Sequence, residues 1–307
     1  MTGLTARSIP NTMAAMPSAK ANGIDIAYET TGDPADPTLL LVCGLGSQLV
    51  NFDPELCELF VARGLHVVRF DNRDVGQSTH IDARVDVRGA MRARAAGEPV
   101  DAPYTLSDMA ADAVGLLDHL GVDRAHVFGT SMGGMIGQTI AIEHPDRVRT
   151  LTSVMSTTGE LDVGGSTPEA GRALLAPPAR TPEEYQEAAV RNAGIFGSPG
   201  LYDPERLRAR AAVAWDRGYD AFGVARQLVA VSASGSRAAG LAALDVPTLV
   251  IHGTEDTLIQ PSGGRRTAEL IPGAELLVVD GMGHDLAPPL WPRIVDAVAG
   301  FVAAHPT

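Results

Sequence analysis

A serine, an aspartate and a histidine lie along this chain where they could act as nucleophile, orienting acid and base. The serine is Ser131, within Gly129-Thr130-Ser131-Met132-Gly133. It follows the apolar run Ala125 to Phe128 and opens a helical pattern. A serine at a sharp strand-to-helix turn is held in strained backbone geometry with its hydroxyl pushed outward. Glycines are needed at positions 129 and 133, because side chains there would collide with the neighbouring strand and helix. The free N–H groups of the helix start favour a developing anion.

A serine hydroxyl is a weak nucleophile without a base, and the base needs a carboxylate that fixes its tautomer. Downstream, the run Pro247 to His252 ends in Gly253-Thr254-Glu255-Asp256, and Ala274 to Asp280 ends in Gly281-Met282-Gly283-His284. Ser131, Asp256 and His284 therefore follow one another in the chain order that a strand–turn–helix nucleophile uses. Upstream, Leu39 to Cys43 stops at Gly44-Leu45-Gly46-Ser47. The glycines there free the backbone N–H of Leu45 to donate to a substrate oxygen beside the N–H of Met132. A dinucleotide-binding reading of the same segment fails, since the third glycine position of Gly-x-Gly-x-x-Gly holds Leu49.

These residues must be carried by regular elements. Apolar, β-branched runs recur at Gly23 to Thr30, Pro37 to Cys43, Leu65 to Phe70, Ala125 to Gly129, Arg149 to Ser156, Pro247 to His252 and Ala274 to Asp280. Helical patterns lie between most of them. Thr105 to Leu120 puts Leu106, Met109, Ala113, Leu116, Leu117 and Leu120 on one face; Met132 to Glu143 and Trp291 to Ala304 are also helical. Strands that are apolar on both faces and alternate with helices imply an α/β fold with a mostly parallel central sheet flanked by helices. The run before Pro37 would be an antiparallel lead-in. From 159 to 244 the alternation stops, and helix starts replace strands: Thr181-x-x-Glu184 has capping-box spacing, and Asp203 precedes Pro204. The expected organisation is a flexible N-terminal tail over 1–22, a core over 23–158 and 245–307, and a helical cap insertion over 159–244.

Composition narrows the chemistry. The 307 residues carry a formal charge of −13, which repels rather than neutralises phosphates, so no nucleic-acid partner is expected. Lys20 is the sole lysine, which removes Schiff-base chemistry on a core lysine and the phosphate-binding Gly-Lys-Ser/Thr loop. The two cysteines, Cys43 and Cys57, form neither a disulfide framework nor a zinc knuckle. No histidine spacing suggests a metal, and no cofactor is implied. There is no apolar run long enough for a membrane span and no secretory pattern at the start, so a cytoplasmic protein is expected. Cys43 and His252 read as packed structural residues, Arg73 and Asp74 as a loop ion pair or hydrogen-bond network rather than substrate contacts, and the Met91 to Arg94 segment as a flap or exposed loop.

Taken together, the motifs resemble the α/β-hydrolase superfamily from Gly23 to Ala304. Gly129-x-Ser131-x-Gly133 is similar to its nucleophile elbow, Gly253-x-x-Asp256 to its acid turn and Gly283-His284 to its histidine turn. Asp71-Asn72-Arg73-Asp74-Val75-Gly76-Gln77-Ser78 resembles its Asp-x-Arg-Gly-x-Gly-x-Ser loop, with Asp74 in place of a glycine. Within the superfamily the chain is similar to bacterial lipase-type carboxylesterases and to methylesterases of the aclacinomycin type, through FDNRDVGQST, YTLSDMAADAVGLLDHLGVDRAHVFG and PGAELLVVDGMGH. Many of those relatives carry histidine where this chain has Cys43. The resemblance implies cofactor-free hydrolysis of a small-molecule carboxylic ester, with Ser131, His284 and Asp256 as the triad and the N–H groups of Leu45 and Met132 as the oxyanion hole. Some relatives keep their acid after the strand before the cap, where Asp162 stands. Phe196, Tyr202, Trp215, Tyr219 and Phe222 in the insertion suggest a hydrophobic substrate. The same triad could serve lactone, carbon–carbon bond or perhydrolysis chemistry, and a non-catalytic receptor can share the fold.

Overall fold

A computed structural model of the chain describes residues 16–306. Its strands are β1 (Ser18–Ala21), β2 (Ile24–Thr31), β3 (Thr38–Val42), β4 (His66–Phe70), β5 (Ala125–Thr130), β6 (Val148–Val154), β7 (Thr248–Gly253) and β8 (Glu275–Val279). They form one sheet in the order β1-β2-β4-β3-β5-β6-β7-β8. The β1/β2 and β2/β4 pairings are antiparallel and the rest parallel. Before and among the core strands lie α1 (Pro54–Val61), α2 (Val87–Ala95), α3 (Leu106–His119) and α4 (Met132–Glu143). Between β6 and β7 the chain makes α5 (Pro168–Leu174), α6 (Pro182–Phe196), α7 (Pro204–Gly218), α8 (Ala221–Ser234) and α9 (Ala238–Ala242). Helix α10 (Ser262–Leu270) links β7 to β8, and α11 (Trp291–Ala304) closes the described chain.

Strand β3 shows why the sheet is sandwiched. All five of its residues are buried, and its side chains alternate between two apolar layers. Leu40 and Val42 join the layer built with α3 and α4, which includes Leu106, Met109, Leu116 and Ile136. Leu39 and Leu41 join the opposite layer, where Leu56 and Phe60 of α1 meet Ile294 and Val298 of α11. A strand covered on both faces cannot alternate polar and apolar residues, hence the continuous apolar runs.

Two expectations need correction. The tail assigned to 1–22 lies outside the described residues only as far as residue 15; Ser18–Ala21 is a strand paired with Ile24–Ala27. The turn between them needs positive φ at Asn22 (47°) and Gly23 (80°), which asparagine and glycine tolerate best. The segment around Met91 to Arg94 is not a loop but the helix α2, whose Arg94 donates to the carbonyls of Gly159, Val231 and Ser232. Helices α6 and α7 start at the expected caps. Thr181 accepts from Glu184 N at 3.3 Å, and Asp203 accepts from Glu205 N at 2.9 Å.

The central strand β5 also carries a titratable group. His126 is buried beside Thr150, 2.9 Å from its hydroxyl. Burial, reinforced by the charges of Arg149, His305 and Arg124, brings its imidazole down to about 4. The unfolded chain binds a proton near pH 6.5 that the native state refuses until about pH 4, so this contribution is intact above 6.5 and lost as pH falls toward 4. The loss approaches roughly 3 kcal/mol. Thermal melts across that range should show His126→Gln with a flatter pH dependence than the parent; equal slopes would remove His126 as the cause.

Candidate active site

The registers bring four strand ends to one edge of the sheet. Val42 of β3 pairs with Gly129 of β5, and Gly253 of β7 pairs with Val279 of β8. The carboxyl ends of parallel strands are where open α/β sheets hold ligands. Ser131 sits between β5 and α4 with φ 55° and ψ −119°, a strained conformation for a residue with a side chain. It is over-determined by its surroundings. Ser131 N donates to Val154 O at 2.9 Å, and its carbonyl accepts from Ser156 Oγ at 2.8 Å. A Cβ on Gly129 would lie 2.1 Å from Gly133 O, and one on Gly133 would lie 2.0 Å from Val42 O. No side chain fits at either position.

Ser131 Oγ stands 2.9 Å from His284 Nε2, and His284 Nδ1 stands 2.8 Å from Asp256 Oδ2. A carboxylate only accepts, so His284 Nδ1 carries the hydrogen and Nε2 is left free to accept from the serine hydroxyl. Of the three acids considered, Asp256 is the one against the histidine. Glu255 is exposed beside Thr254, and Asp162 is exposed in the segment after β6. Asp256 is 2 % exposed, and its Oδ1 accepts from the N–H groups of Leu258 and Ile259 at 3.0 and 2.9 Å. Burial alone would raise its carboxyl, but the His284 charge and the hydrogen bonds from His252 and His284 bring it down to about 2. It is therefore ionised at every pH near neutrality.

His252 does more than pack. Its Nε2 lies 2.8 Å from Ile259 O and 3.3 Å from Asp256 Oδ2, so it carries the hydrogen and braces the acid turn from the strand side. The strand pattern hid this contact, because a histidine inside an apolar run looks the same whatever it touches.

The segment expected to hold the oxyanion is anchored from several sides. A Cβ on Gly44 would come within 3.3 Å of Ser131 Cβ, which places Leu45 beside the serine. Gly46 has φ 66°, and its N–H donates to Gln227 Oε1 of α8 at 2.8 Å. Asp71 accepts from Leu49 N at 2.7 Å and Asn72 donates to Cys43 O at 3.0 Å, so the 71–78 loop holds this turn from below. Cys43 itself is buried, with its thiol pushed well above the ordinary range by burial and the Asp71 charge, which makes it a poor nucleophile.

Arg73 and Asp74 sit in the expected kind of hydrogen-bond network but do not pair with each other. Arg73 donates to Asp112 at 2.6 and 2.7 Å, and Asp74 is held by Arg226 of α8 at 2.8 and 3.0 Å. The partner of Asp74 comes from the insertion, out of reach of any local spacing rule. Asp74, His80 and Asp220 also place three possible ligand atoms within 4.8 Å of one another. Arg226 donates to both of those carboxylates, 2.8 and 2.9 Å away, and so already supplies the positive charge.

A cavity of about 550 Å³ opens above Ser131, Met132, Leu45 and His284. Met135, Met155, Leu228, Val231 and Ile259 supply much of its wall. Of the five insertion aromatics singled out from the sequence, Phe196 and Tyr202 line it. Trp215 and Tyr219 stack on each other at 5.0 Å, with Tyr185 against Tyr219, and Phe222 is 73 % exposed. The apolar character of the wall therefore comes more from methionine and branched side chains than from the aromatics.

Comparison with known proteins extends this picture. Residues 37–287 match the family described as alpha/beta hydrolase fold. The chain is 30% identical over 298 residues to the rhodomycin D methylesterase DnrP of Streptomyces peucetius, covering 90% of this chain and 93% of that protein. It is 29% identical over 262 residues to the putative carbamate hydrolase RutD of Variovorax paradoxus strain S110, covering 84% and 88% respectively. Among solved structures it is similar to the enol-lactonase of Burkholderia xenovorans LB400, with TM-score 0.72, 25% identity and coverage of 94% of this chain and 100% of the other. Among the described residues, no helix is long and apolar enough to cross a membrane.

Proposed function

The chain belongs to the alpha/beta hydrolase fold family, and from that premise we propose that it hydrolyses carboxylic esters through a serine nucleophile and an acyl-enzyme. The observation that carries this reading is the unbroken chain from Ser131 Oγ through His284 to Asp256, at 2.9 and 2.8 Å, beneath a largely apolar cavity. His284 Nε2 takes the proton as Ser131 Oγ attacks the ester carbonyl, and Asp256 stabilises the imidazolium that forms. The N–H groups of Leu45 and Met132 receive the tetrahedral oxyanion. His284 then gives its proton to the departing alcohol. Water, deprotonated by the same histidine, attacks the acyl-enzyme and releases the acid. Every group in this sequence belongs to the protein, and no step calls for a cofactor.

Helices α5 to α9 act as a cap in this reading and, with the core, shape the substrate pocket. Relatives named as methylesterases support a substrate with a small alcohol part, and the largely apolar cavity wall suits an apolar acid part. Lactones are the second class to consider, because a solved relative is an enol-lactonase and ring opening of a cyclic ester uses the same steps. A p-nitrophenyl acetate and butyrate assay tests the proposal. Turnover is expected, with a burst of nitrophenol when acylation outruns deacylation. Tight binding of the esters without any release would favour the receptor alternative.

A further inference from the structure

We propose that the C-terminal end of α6 is a positioning element for His284, locked in place by Ser198 and Asp285, so that the cap and the triad histidine move as one unit. The inference rests on the ester-hydrolase reading of Ser131 and His284.

A helix leaves its last carbonyls without intrahelical partners, and the final two of α6 are taken up by the two turns that carry the acid and the base. Thr257 Oγ1, next to Asp256, donates to Ile195 O at 3.1 Å. The backbone N–H of His284 donates to Phe196 O at 2.6 Å. The next residues continue the zipper. Gly283 N donates to Ser198 Oγ at 2.9 Å, while Ser198 Oγ and Ser198 N donate to Asp285 Oδ1 at 2.5 and 3.1 Å. Three consecutive residues of the histidine turn, Gly283 to Asp285, are thus bonded to Phe196 and Ser198 of the insertion.

The approach is as close as backbone allows. A Cβ on Gly283 would lie 2.3 Å from the Gly197 carbonyl, and one on Gly197 would lie 2.9 Å from Asp285 Oδ2. Ser198 is fully buried at 0 % exposure. Its hydroxyl spends its one donor on Asp285 and accepts from Gly283, so both of its hydrogen bonds lie in this junction. The Phe196 ring meets the His284 ring edge to face at 6.2 Å, which limits the imidazole from the cap side. A loop that ends a strand would otherwise be free to shift, and a displacement of about 1 Å in a catalytic group can cost on the order of a hundredfold in rate. The consequence is specific: the α6 end of the cap cannot swing away as a free lid without pulling on the base.

Ser198 is not among the residues that line the cavity, so its removal separates positioning from binding. Ser198→Ala should lower kcat on p-nitrophenyl butyrate by roughly tenfold to a hundredfold with KM within about twofold of the parent. The rate of inactivation by a fluorophosphonate, which reads the activation of the serine directly, should fall in parallel. Asp285→Ala should fall to a similar kcat, and Asp285→Asn, which keeps an acceptor for Ser198, should recover most of that loss. The Ser198→Ala, Asp285→Ala double variant should be no slower than the worse single one, because the two residues act as one unit. A folded Ser198→Ala with kcat within about twofold of the parent overturns the proposal, as does a KM effect without a kcat effect. Should Ser198→Ala not fold, as judged by circular dichroism, the Asp285→Ala and Asp285→Asn pair carries the test, and because Asp285 itself lines the cavity a kcat loss counts for the proposal only with KM within about twofold of the parent and against it otherwise. Ser131→Ala serves as the independent control. If it stays active, the serine mechanism fails; if it is inactive while Ser198→Ala is normal, only the positioning role fails.

Discussion

Replacing Ser131 by alanine is expected to lower kcat for an activated ester by about 10⁴- to 10⁶-fold while leaving the protein folded, the upper end being the size of the loss when the nucleophile is removed from a serine triad. The loss is large because the hydroxyl forms the covalent bond, and the neighbouring oxyanion donors can then assist only the attack of water. The fold should survive because alanine keeps the Cβ that the site already accommodates at φ 55°, and because the bonds of residue 131 to Val154 and Ser156 run through its backbone. Steady-state rates and circular dichroism on the same preparation check both halves. An alanine variant within about tenfold of the parent would mean that another group attacks the ester.

Asp256→Asn should be the next most damaging change, costing on the order of 10² to 10⁴ in kcat. The amide has nearly the same shape as the acid, and its oxygen can still accept from Leu258 and Ile259. Its NH₂ then faces His284, which forces Nδ1 to accept and puts the ring hydrogen on Nε2, toward Ser131. An imidazole in that tautomer cannot take the serine proton. The same NH₂ also meets the Nε2–H of His252, where two donors now oppose each other. Glu255→Gln and Asp162→Asn, whose parent carboxylates are exposed, should stay within roughly tenfold of the parent. The comparison is kcat on one ester for all three variants. A crippled Asp162→Asn beside an active Asp256→Asn would reverse the assignment.

The parts of this site that were legible in the sequence are those fixed by local geometry. Gly129 and Gly133 bracket Ser131 because backbone lies about 2 Å from where their Cβ atoms would be, so the pentapeptide must take this form wherever the turn occurs. Asp256 and His284 could be placed because both follow parallel strands within a few residues, the buried β7 and the partly exposed edge strand β8, and a parallel sheet lines up those ends. Strand β1 escaped notice because Ser-Ala-Lys-Ala has little apolar content; its two inward alanines pack against α3, a partner some ninety residues away in sequence. The His252 brace is local, four residues from Asp256, and depends on how the acid turn bends; the Asp74–Arg226 pair and the Ser198–Asp285 junction were illegible for a different, shared reason. Each joins a core turn or strand to a segment whose position depends on the completed fold, and neither residue type nor spacing records it. The insertion shows the limit most clearly. Its helix caps could be read from Thr181 and Asp203, but the face that α6 turns toward the triad could not.

The central claim is that Ser131 is an activated nucleophile, and the most direct measurement is covalent capture. The protein is treated with a serine-directed fluorophosphonate, digested, and the modified peptide sequenced by mass spectrometry. One adduct per chain is expected, on Ser131, formed in step with the loss of esterase activity and absent from the Ser131→Ala variant. An adduct on a different residue, or full activity in protein already labelled on Ser131, would contradict that claim.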